Sequence, residues 1–352
     1  MPTIKAKGYS VVISNTALKT ASAFLAKARY SGYFILCDEN TLQECLPFLI
    51  NSCPELARAQ IIEIESGEAS KAMTICEPIW QTLIENQADR RTLLINLGGG
   101  VVSDLGGFIA SVYKRGIDFI NIPTSLLAMA DASVGGKTGI DFYGIKNVIG
   151  SFACPKAVFV NPGFLSTLPE KHYQNGLAEV FKIALVSNKV FWNELRYGKK
   201  KPEELVTKSI ILKNNIVLRD PFDQGRRKML NFGHTIGHAI EALTLGSAHE
   251  LLHGEAVLAG MIMESHLAFQ KKLIPKTVLV EVSTVLRSAF TLKNINGLAF
   301  DKILDQLGND KKTIHHKIQF ALITGIGTCR VDVTATAAQI KKAVSYYNQL
   351  PA

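Results

Sequence analysis

Residues 92–104 have the sequence TLLINLGGGVVSD, in which a mostly apolar run meets three consecutive glycines. The run predicts a buried β-strand, and the residues after the glycines predict a helix. Glycines let the backbone turn sharply and approach a ligand, and a helix N-terminus offers unpaired N–H groups to an anion. A pyrophosphate would suit this turn. The spacing is not GxGxxG, so a tight turn without a ligand is the alternative.

Similar apolar runs recur on both sides of this turn, at residues 33–37, 60–64 and 119–123. Helical patterns such as residues 69–85 lie between them, and this alternation indicates a parallel sheet with helices on its faces. After about residue 168 the pattern is mostly helical, at 172–187, 202–219, 226–243, 253–270 and 334–348. We therefore expect a Rossmann-like α/β domain (1–168) and a mainly α-helical domain (169–352).

The 352-residue chain has a formal net charge of +9. The basic run at residues 199–201 is typical of a solvated loop, and most of the other basic residues are dispersed. This distribution favours an anionic small substrate over nucleic acid.

The sequence has no long apolar stretch of the kind that spans a membrane and no apolar signal segment at its start. Its six cysteines form no CxxC pair. We expect reduced packing cysteines in a cytoplasmic protein.

A second glycine-rich segment, DASVGGKTG, occupies residues 131–139. It lacks the spacing of a P-loop. It either brings Lys137 to a phosphate or forms a structural turn with a surface lysine. Lys146 and Asn147 add a cation and a donor to the same region.

The segment 226–243 contains Arg227, Asn231, His234 and His238, spaced by four, three and four residues. On one continuous helix these side chains would form a polar stripe on an otherwise apolar surface, which suits a polar cavity. Histidines four residues apart can share a metal, although HExxH is absent.

Further candidate metal ligands are Glu179, which lies one helical turn before Lys182, and the histidines at 249 and 253. Two histidines and one glutamate are a common ligand set for catalytic zinc. Spacing alone does not select the histidines, and structural histidines are the alternative.

Taken together, these motifs resemble the 3-dehydroquinate synthases, a family of sugar phosphate cyclases, over almost the whole chain. The motifs that carry the resemblance are SGEASK (66–71), the 98–104 turn, YKRG (113–116), PTSLLA (123–128), the 131–139 loop, LAEV (177–180), the 231–238 segment and LHGE (252–255). Ser103, Ser125 and Ala132 stand where relatives often have Gly, Thr and Ser, which leaves the loop geometry open.

The resemblance implies zinc or cobalt held by Glu179, His234 and His253, with His238 facing the substrate. It implies NAD bound by Asp38, Asn40, Glu68, Lys71, Gly99, Gly100, Val101, Asp104, Thr124 and Ser125, with Asp131, Lys137 and Lys146 close to it. It implies substrate contacts from Asp131, Lys137, Lys146, Asn147, Lys182, Lys213, Arg227, Asn231, His238 and Lys311. Arg115 would enter the site of a second subunit, so a homodimer is expected.

The implied reaction converts 3-deoxy-D-arabino-heptulosonate 7-phosphate to 3-dehydroquinate and phosphate, through transient oxidation by NAD. A metal-dependent polyol dehydrogenase similar to glycerol dehydrogenase is one rival. Other sugar phosphate cyclases are a second, although Lys213, Arg227, Asn231 and His238 favour dehydroquinate formation. A nucleic-acid-binding protein, suggested only by the net charge, is the third.

Overall fold

The structure, a computed structural model, describes residues 2–198, 200–309, 313–314 and 317–351. The strands up to residue 160 are β1 (Thr3–Lys5), β2 (Ser10–Ile13), β3 (Gly32–Asp38), β4 (Gln60–Ile64), β5 (Thr92–Gly98), β6 (Asp118–Pro123), β7 (Lys137–Phe142), β8 (Ile145–Phe152) and β9 (Ala157–Val160). The α-helices in this region are α1 (Ala17–Lys27), α2 (Glu39–Glu44), α3 (Leu46–Ser52), α4 (Met73–Glu85) and α5 (Gly100–Val112).

The later part of the chain is mostly helical. Its α-helices are α6 (Glu170–Ser187), α7 (Lys189–Tyr197), α8 (Pro202–Arg219), α9 (His234–Thr244), α10 (His253–Gln270), α11 (Lys276–Ala289), α12 (Phe300–Asn309) and α13 (Ala337–Asn348). An antiparallel sheet consists of β10 (Thr313–Ile314), β11 (Lys317–Gly325) and β12 (Thr328–Thr334).

The large sheet has the strand order β1-β2-β9-β6-β5-β3-β4. Its strands are parallel except β1, which pairs antiparallel with β2. The strands predicted at 33–37, 60–64, 92–97 and 119–123 are confirmed. Every residue of β5 is buried, as expected for a parallel strand covered by helices on both faces. The α/β class expected for the first part of the chain is therefore correct.

The apolar side chains of the sheet and of α4 and α5 form one buried cluster. Two polar side chains inside the sheet satisfy each other, since Asn96 Nδ2 donates to Asn121 Oδ1 at 2.9 Å. The hairpin of β7 and β8 is a separate two-stranded sheet that packs on α5.

The chain divides into two compact units, the first comprising Met1–Gly176 and Lys201–Leu218 and the second Leu177–Lys200 and Arg219–Ala352. The sequence predicted a single boundary after residue 168, which lies near the first division at residue 176. A single boundary does not account for residues 201–218, which return to the first unit. These residues belong to the first unit, and two polar side chains of α8 contact it. Lys213 pairs with Asp131 at 2.8 Å, and Asn214 Nδ2 donates to the carbonyl oxygen of Lys5 at 2.9 Å.

In the second unit, α10 is buried along most of its length and packs against α9, α11 and α13. A helix that is apolar on nearly all sides belongs inside a domain. In the described part of the chain, we find no helix with the length and apolar character needed to cross a membrane.

Candidate functional site

The glycine turn joins β5 to α5 at the carboxyl edge of the sheet. A Cβ on Gly98 would lie 2.5 Å from Val102 Cγ2, so only glycine lets the helix start this close to the strand. In the described structure, the first turn of α5 holds no acidic side chain. Its backbone N–H groups therefore favour an anion. Gly99, Gly100 and Val101, the residues expected to bind pyrophosphate, cap and begin this helix.

Other residues expected to bind NAD lie at the same sheet edge. Asp38 ends β3 and caps α2, because its carboxylate accepts the backbone N–H of Thr41 at 2.8 Å. Asn40 lies in the first turn of α2. The carboxyl edge of a doubly wound sheet is where such folds bind nucleotides.

Thr124 and Ser125 follow the end of β6. The backbone N–H of Thr124 donates to the carbonyl oxygen of Gly98 at 3.0 Å, which ties this segment to the glycine turn. Ser125 Oγ accepts the backbone N–H of Ala128 at 3.3 Å. A Cβ on Gly99 would meet Ser125 Oγ at 3.4 Å, so the two segments lie in contact.

A charged cluster joins three segments of the first unit. Lys71 Nζ lies 2.6 Å from Asp104 Oδ2 and 2.5 Å from Asn147 Oδ1. Beside it, Lys146 Nζ lies 2.9 Å from Glu68 Oε1. The structure thus brings together five residues that the sequence assigned to NAD or to the substrate.

Lys71 is buried, and burial lowers the pKa of an ammonium, but the carboxylates of Asp104, Glu68 and Asp141 outweigh this and raise the pKa. For the Asp104 carboxyl, burial has the opposite effect and raises the pKa, although the Lys71 ammonium opposes that change. The three carboxylates around Lys71, and its short contact with Asp104, favour an ion pair between the Lys71 ammonium and the Asp104 carboxylate.

The second glycine-rich segment also lies in the first unit. Lys213 Nζ contacts both the carboxylate of Asp131 at 2.8 Å and its carbonyl oxygen at 2.6 Å. Gly135 and Gly136 have φ angles of +112° and +68°, a backbone that favours glycine. Lys137 begins β7 with an exposed side chain immediately after this turn.

In the second unit, a cluster of one carboxylate and three imidazoles gathers from three helices. Glu179 is on α6, His234 and His238 are on α9, and His253 begins α10. Glu179 Oε1 lies 3.4 Å from Nε2 of His234 and 3.4 Å from Nε2 of His253. His234, His238 and His253 each offer a ring nitrogen within 4.8 Å of the others.

This donor set fits a divalent metal. Glu179 is only 2% exposed, and within the described residues neither of its carboxylate oxygens has a hydrogen-bond partner, although Lys182 contacts the carboxylate. Burial raises the pKa of Glu179, but Lys182 and His234 outweigh it and hold the pKa well below its usual range. An ionised carboxylate beside histidine nitrogens is a typical zinc site. Both Glu179 and His238 are close enough to complete a set with His234 and His253.

Close packing of α9 on α10 brings their histidines together. A Cβ on Gly237 would lie 2.9 Å from the carbonyl oxygen of Ala256 on α10. Gly233, just before α9, has φ +80° and donates its N–H to Glu264 Oε2 at 2.6 Å. Glu264 Oε1 accepts the N–H of Ile236 at 3.1 Å, so a carboxylate from α10 caps the histidine helix.

One expectation about this region is wrong. Residues 226–243 do not form a continuous helix, because Arg226–Asn231 is a 3₁₀ helix and α9 begins at His234 after the left-handed Gly233. Arg227 and Asn231 therefore do not share a helical stripe with His234 and His238.

Arg227 is held by the turn instead. It is buried, its backbone N–H donates to Asp220 Oδ2 at 2.9 Å, and its Nη1 donates to the carbonyl oxygen of Pro221 at 2.8 Å. The segment after α8 thus orients the guanidinium.

Arg115 lies outside these clusters. It is exposed, in a turn where Lys114 and Arg115 have φ angles of +49° and +64°. Lys311 lies outside the described residues.

Sequence reasoning missed two acids, the buried Glu241 and the half-buried Asp141. Glu241 Oε2 on α9 lies 3.2 Å from His253 Nδ1. Asp141 Oδ1 on β7 accepts the backbone N–H of Asn147 at 2.7 Å. Glu241 lies seven residues after His234, a helical spacing that could have pointed to it.

Two family models together match most of the chain. The family model described as 3-dehydroquinate synthase N-terminal matches residues 61–175. The model described as 3-dehydroquinate synthase C-terminal matches residues 176–313.

Individual relatives agree with the family models. The chain is 36% identical to a 3-dehydroquinate synthase from Parabacteroides distasonis over 96% of this chain and 98% of that protein. A 2-epi-5-epi-valiolone synthase from Streptomyces hygroscopicus subsp. jinggangensis, solved with NAD+ and Zn2+ bound, has a TM-score of 0.85 and 25% identity over 99% of this chain and 98% of its own. A 2-deoxy-scyllo-inosose synthase complexed with carbaglucose-6-phosphate, NAD+ and Co2+ has a TM-score of 0.87. It is 22% identical over 98% of this chain and 99% of its own.

Proposed function

Since this chain belongs to the 3-dehydroquinate synthase family, we propose that it converts 3-deoxy-D-arabino-heptulosonate 7-phosphate to 3-dehydroquinate and phosphate. It acts as a carbon–oxygen lyase that eliminates phosphate, in the shikimate pathway to aromatic amino acids. The observation that carries the proposal is the buried Glu179 carboxylate beside Nε2 of His234 and His253.

The proposed cofactors are NAD and one divalent metal, zinc or cobalt, per subunit. Two solved relatives carry NAD+ with Co2+ or Zn2+, which supports this pair. Glu179, His234 and His253 would hold the metal, and the turn of Gly99, Gly100 and Val101 would hold the pyrophosphate of NAD. When bound, NAD would accept a hydride from a substrate alcohol and later return it, and the metal would polarise that alcohol.

The substrate carries a phosphate and a carboxylate, and both units contain side chains suited to them. Arginine suits a planar carboxylate, whereas lysine acts as a point charge on phosphate. The first unit supplies Asp131, Lys137, Lys146, Asn147 and Lys213. The second unit supplies Lys182, Arg227, Asn231 and His238. Lys311 completes the proposed set.

These side chains act mainly by positioning the substrate and stabilising its charge. Lys213 is fixed by two contacts with Asp131, and Lys182 is fixed by Glu179. A cation held in place before the substrate binds loses less entropy when it grips an anion.

His238 is the proposed proton shuttle. It lies on α9 one turn after His234, and the two ring centroids are 5.0 Å apart. An imidazole has an unperturbed pKa close to working pH, so it can take a proton from a substrate hydroxyl and give it back.

We also propose a homodimer in which Arg115 reaches the site of the partner subunit. The turn that carries Arg115 lies next to exposed apolar side chains, since Val112 is 46% and Phe152 is 51% exposed. Ser111 Oγ and Ser151 Oγ, which are 2.7 Å apart, join α5 to β8 at this surface. Exposed apolar side chains at this surface support an interface. A cytoplasmic location is the accompanying proposal, supported by six free cysteines.

The test is incubation of the protein with the heptulosonate phosphate, catalytic NAD and zinc. Phosphate and 3-dehydroquinate should appear in equal amounts, and a chelator should abolish both. Glu179→Gln should be inactive. Glu281→Gln, in which a half-buried acid paired with Arg196 is changed and an acceptor for Trp192 Nε1 is kept, should keep the activity and serves as the matched control.

Other outcomes would distinguish the proposal from its rivals. Steady accumulation of NADH with a polyol would instead indicate a dehydrogenase. Product formation from a different sugar phosphate would indicate another cyclase. Activity that persists at high salt would argue against nucleic-acid binding, which weakens steeply with salt.

A further inference from the structure

Glu241 is a buried acid of α9 that faces the metal-binding cluster without belonging to it. It lies on α9, the helix of His234 and His238, and its side chain is only 5% exposed. Its Oε2 lies 3.2 Å from Nδ1 of His253, the residue that begins α10. The contact therefore connects the two helices that carry the three histidines.

The two nitrogens of the His253 ring meet different carboxylates. Nε2 lies 3.4 Å from Glu179 Oε1 and faces the other candidate ligands. Nδ1 points to Glu241. A neutral imidazole carries a proton on one nitrogen only, so Glu241 favours the tautomer with the proton on Nδ1 and the lone pair on Nε2.

We propose that Glu241 is a positioning residue for the metal site. It accepts the Nδ1–H of His253, fixes the plane of the ring and leaves Nε2 as the atom that binds the metal. Metal-ligating histidines commonly donate their second N–H to a carboxylate, which also makes the ring a stronger ligand. This inference rests on the proposed metal site and does not depend on the substrate or the reaction.

The placement of Glu241 argues against a purely structural role. A carboxylate is costly to bury, and an apolar side chain would fill the same space between helices at a lower cost. The acid lies opposite the one ring nitrogen of His253 that faces away from Glu179. The charge therefore acts on the His253 ring.

The experiment compares zinc binding by wild-type protein, Glu241→Gln and Glu241→Ala, with Glu281→Gln as the acid-to-amide control on α11 of the same unit. Zinc affinity is measured by competition with a chromogenic chelator, in the absence of substrate and NAD. We expect Glu241→Gln to bind zinc about 10-fold more weakly and Glu241→Ala about 100-fold more weakly. Glu281→Gln should bind zinc like the wild type.

A thermal measurement separates positioning from packing. Zinc raises the Tm of a protein that binds it in the folded state, by an amount that depends on affinity. A positioning role predicts a smaller zinc-induced rise in Tm for Glu241→Gln. A merely structural role would lower the Tm equally with and without zinc and leave the rise unchanged, which would overturn the inference.

The remaining outcomes are also decisive. If Glu241→Ala does not fold, the isosteric Glu241→Gln decides the matter. If wild-type protein binds zinc and Glu241→Gln binds it equally well, this inference alone is wrong. If wild-type protein binds no zinc, the proposed metal site fails and the inference fails with it.

Discussion

Gly260 lies against Gly233 so closely that a Cβ on Gly260 would stand 1.9 Å from the carbonyl oxygen of Gly233. The same atom would lie 3.0 Å from the backbone nitrogen of Gly237. Both contacts are with backbone, which cannot move aside by a change of rotamer. The distance between α9 and α10, and with it the distance between their histidines, therefore depends on the absence of one side chain.

Gly260→Ala should force these helices apart. We expect a loss of about 1–3 kcal/mol in the free energy of unfolding, because overpacking strains a closely packed contact. Zinc affinity should fall too, since His253 would move away from His234. Urea unfolding and chelator competition measure the two effects.

Gly308→Ala is the matched control for this substitution. A Cβ on Gly308, in α12 of the same unit, would meet no atom within 4 Å. Alanine at an exposed helical position should stabilise the protein by about 0.5–1 kcal/mol relative to glycine. Equal effects of the two substitutions would contradict the packing explanation.

The roles of Glu179 and His238 can be separated by metal content. We expect His238→Asn to retain zinc but to lose turnover severely, because it removes the proton shuttle and leaves Glu179, His234 and His253 intact. Glu179→Gln should lose zinc and activity together. Zinc stoichiometry and phosphate release measure both. A metal-free His238→Asn protein would show that His238 is a ligand.

Asp141 predicts a pH dependence of stability in the first unit. Burial raises its pKa from 3.8 to about 6, although Lys71 opposes this and Glu68 and Lys146 also lie nearby. The folded protein therefore binds this proton more tightly than the unfolded chain. The resulting contribution to stability is complete below about pH 4 and is lost as the pH rises through about 6.

Asp141→Asn keeps an acceptor for the backbone N–H of Asn147 and removes the ionisation. The free energy of unfolding of the variant should therefore increase relative to that of the wild type between about pH 4 and about pH 7. Chemical denaturation of both proteins across this range measures the difference. A difference that does not change with pH would contradict the prediction.

Arg115 can be tested by mixing inactive subunits. Arg115→Ala and His238→Asn should each be inactive alone. If Arg115 completes the partner's site, a mixed dimer has one complete site, and random reassociation should restore roughly a quarter of wild-type activity. No recovery from a mixture that contains mixed dimers would place Arg115 in its own subunit's site or outside the mechanism.

The sequence predicted the features that depend on local pattern. The buried run at 92–97 and the glycines after it indicated β5 and the start of α5, because full burial and a sharp turn leave a clear signature in composition. His234 and His238 could be paired from helical spacing, and they lie on one helix as expected.

Features that depend on distant contacts were not predicted. The glycine-rich segment around Lys137 and Lys146 became a hairpin, β7 and β8, whose strands are partly exposed and lack a long apolar run. The break at Gly233 depends on Glu264, which lies far along the chain and caps α9. The link between Glu241 and His253 likewise appears only when α10 is folded against α9.

The return of α8 to the first unit has a consequence for synthesis on the ribosome. Chains fold from the N-terminus as they emerge, and a domain completes once its last segment is outside. The Lys213 partner of Asp131 emerges only after residues 177–200 of the second unit. A nascent chain that stops at residue 176 would expose the surface that α8 covers, so a truncated first unit needs residues 201–218 joined to it.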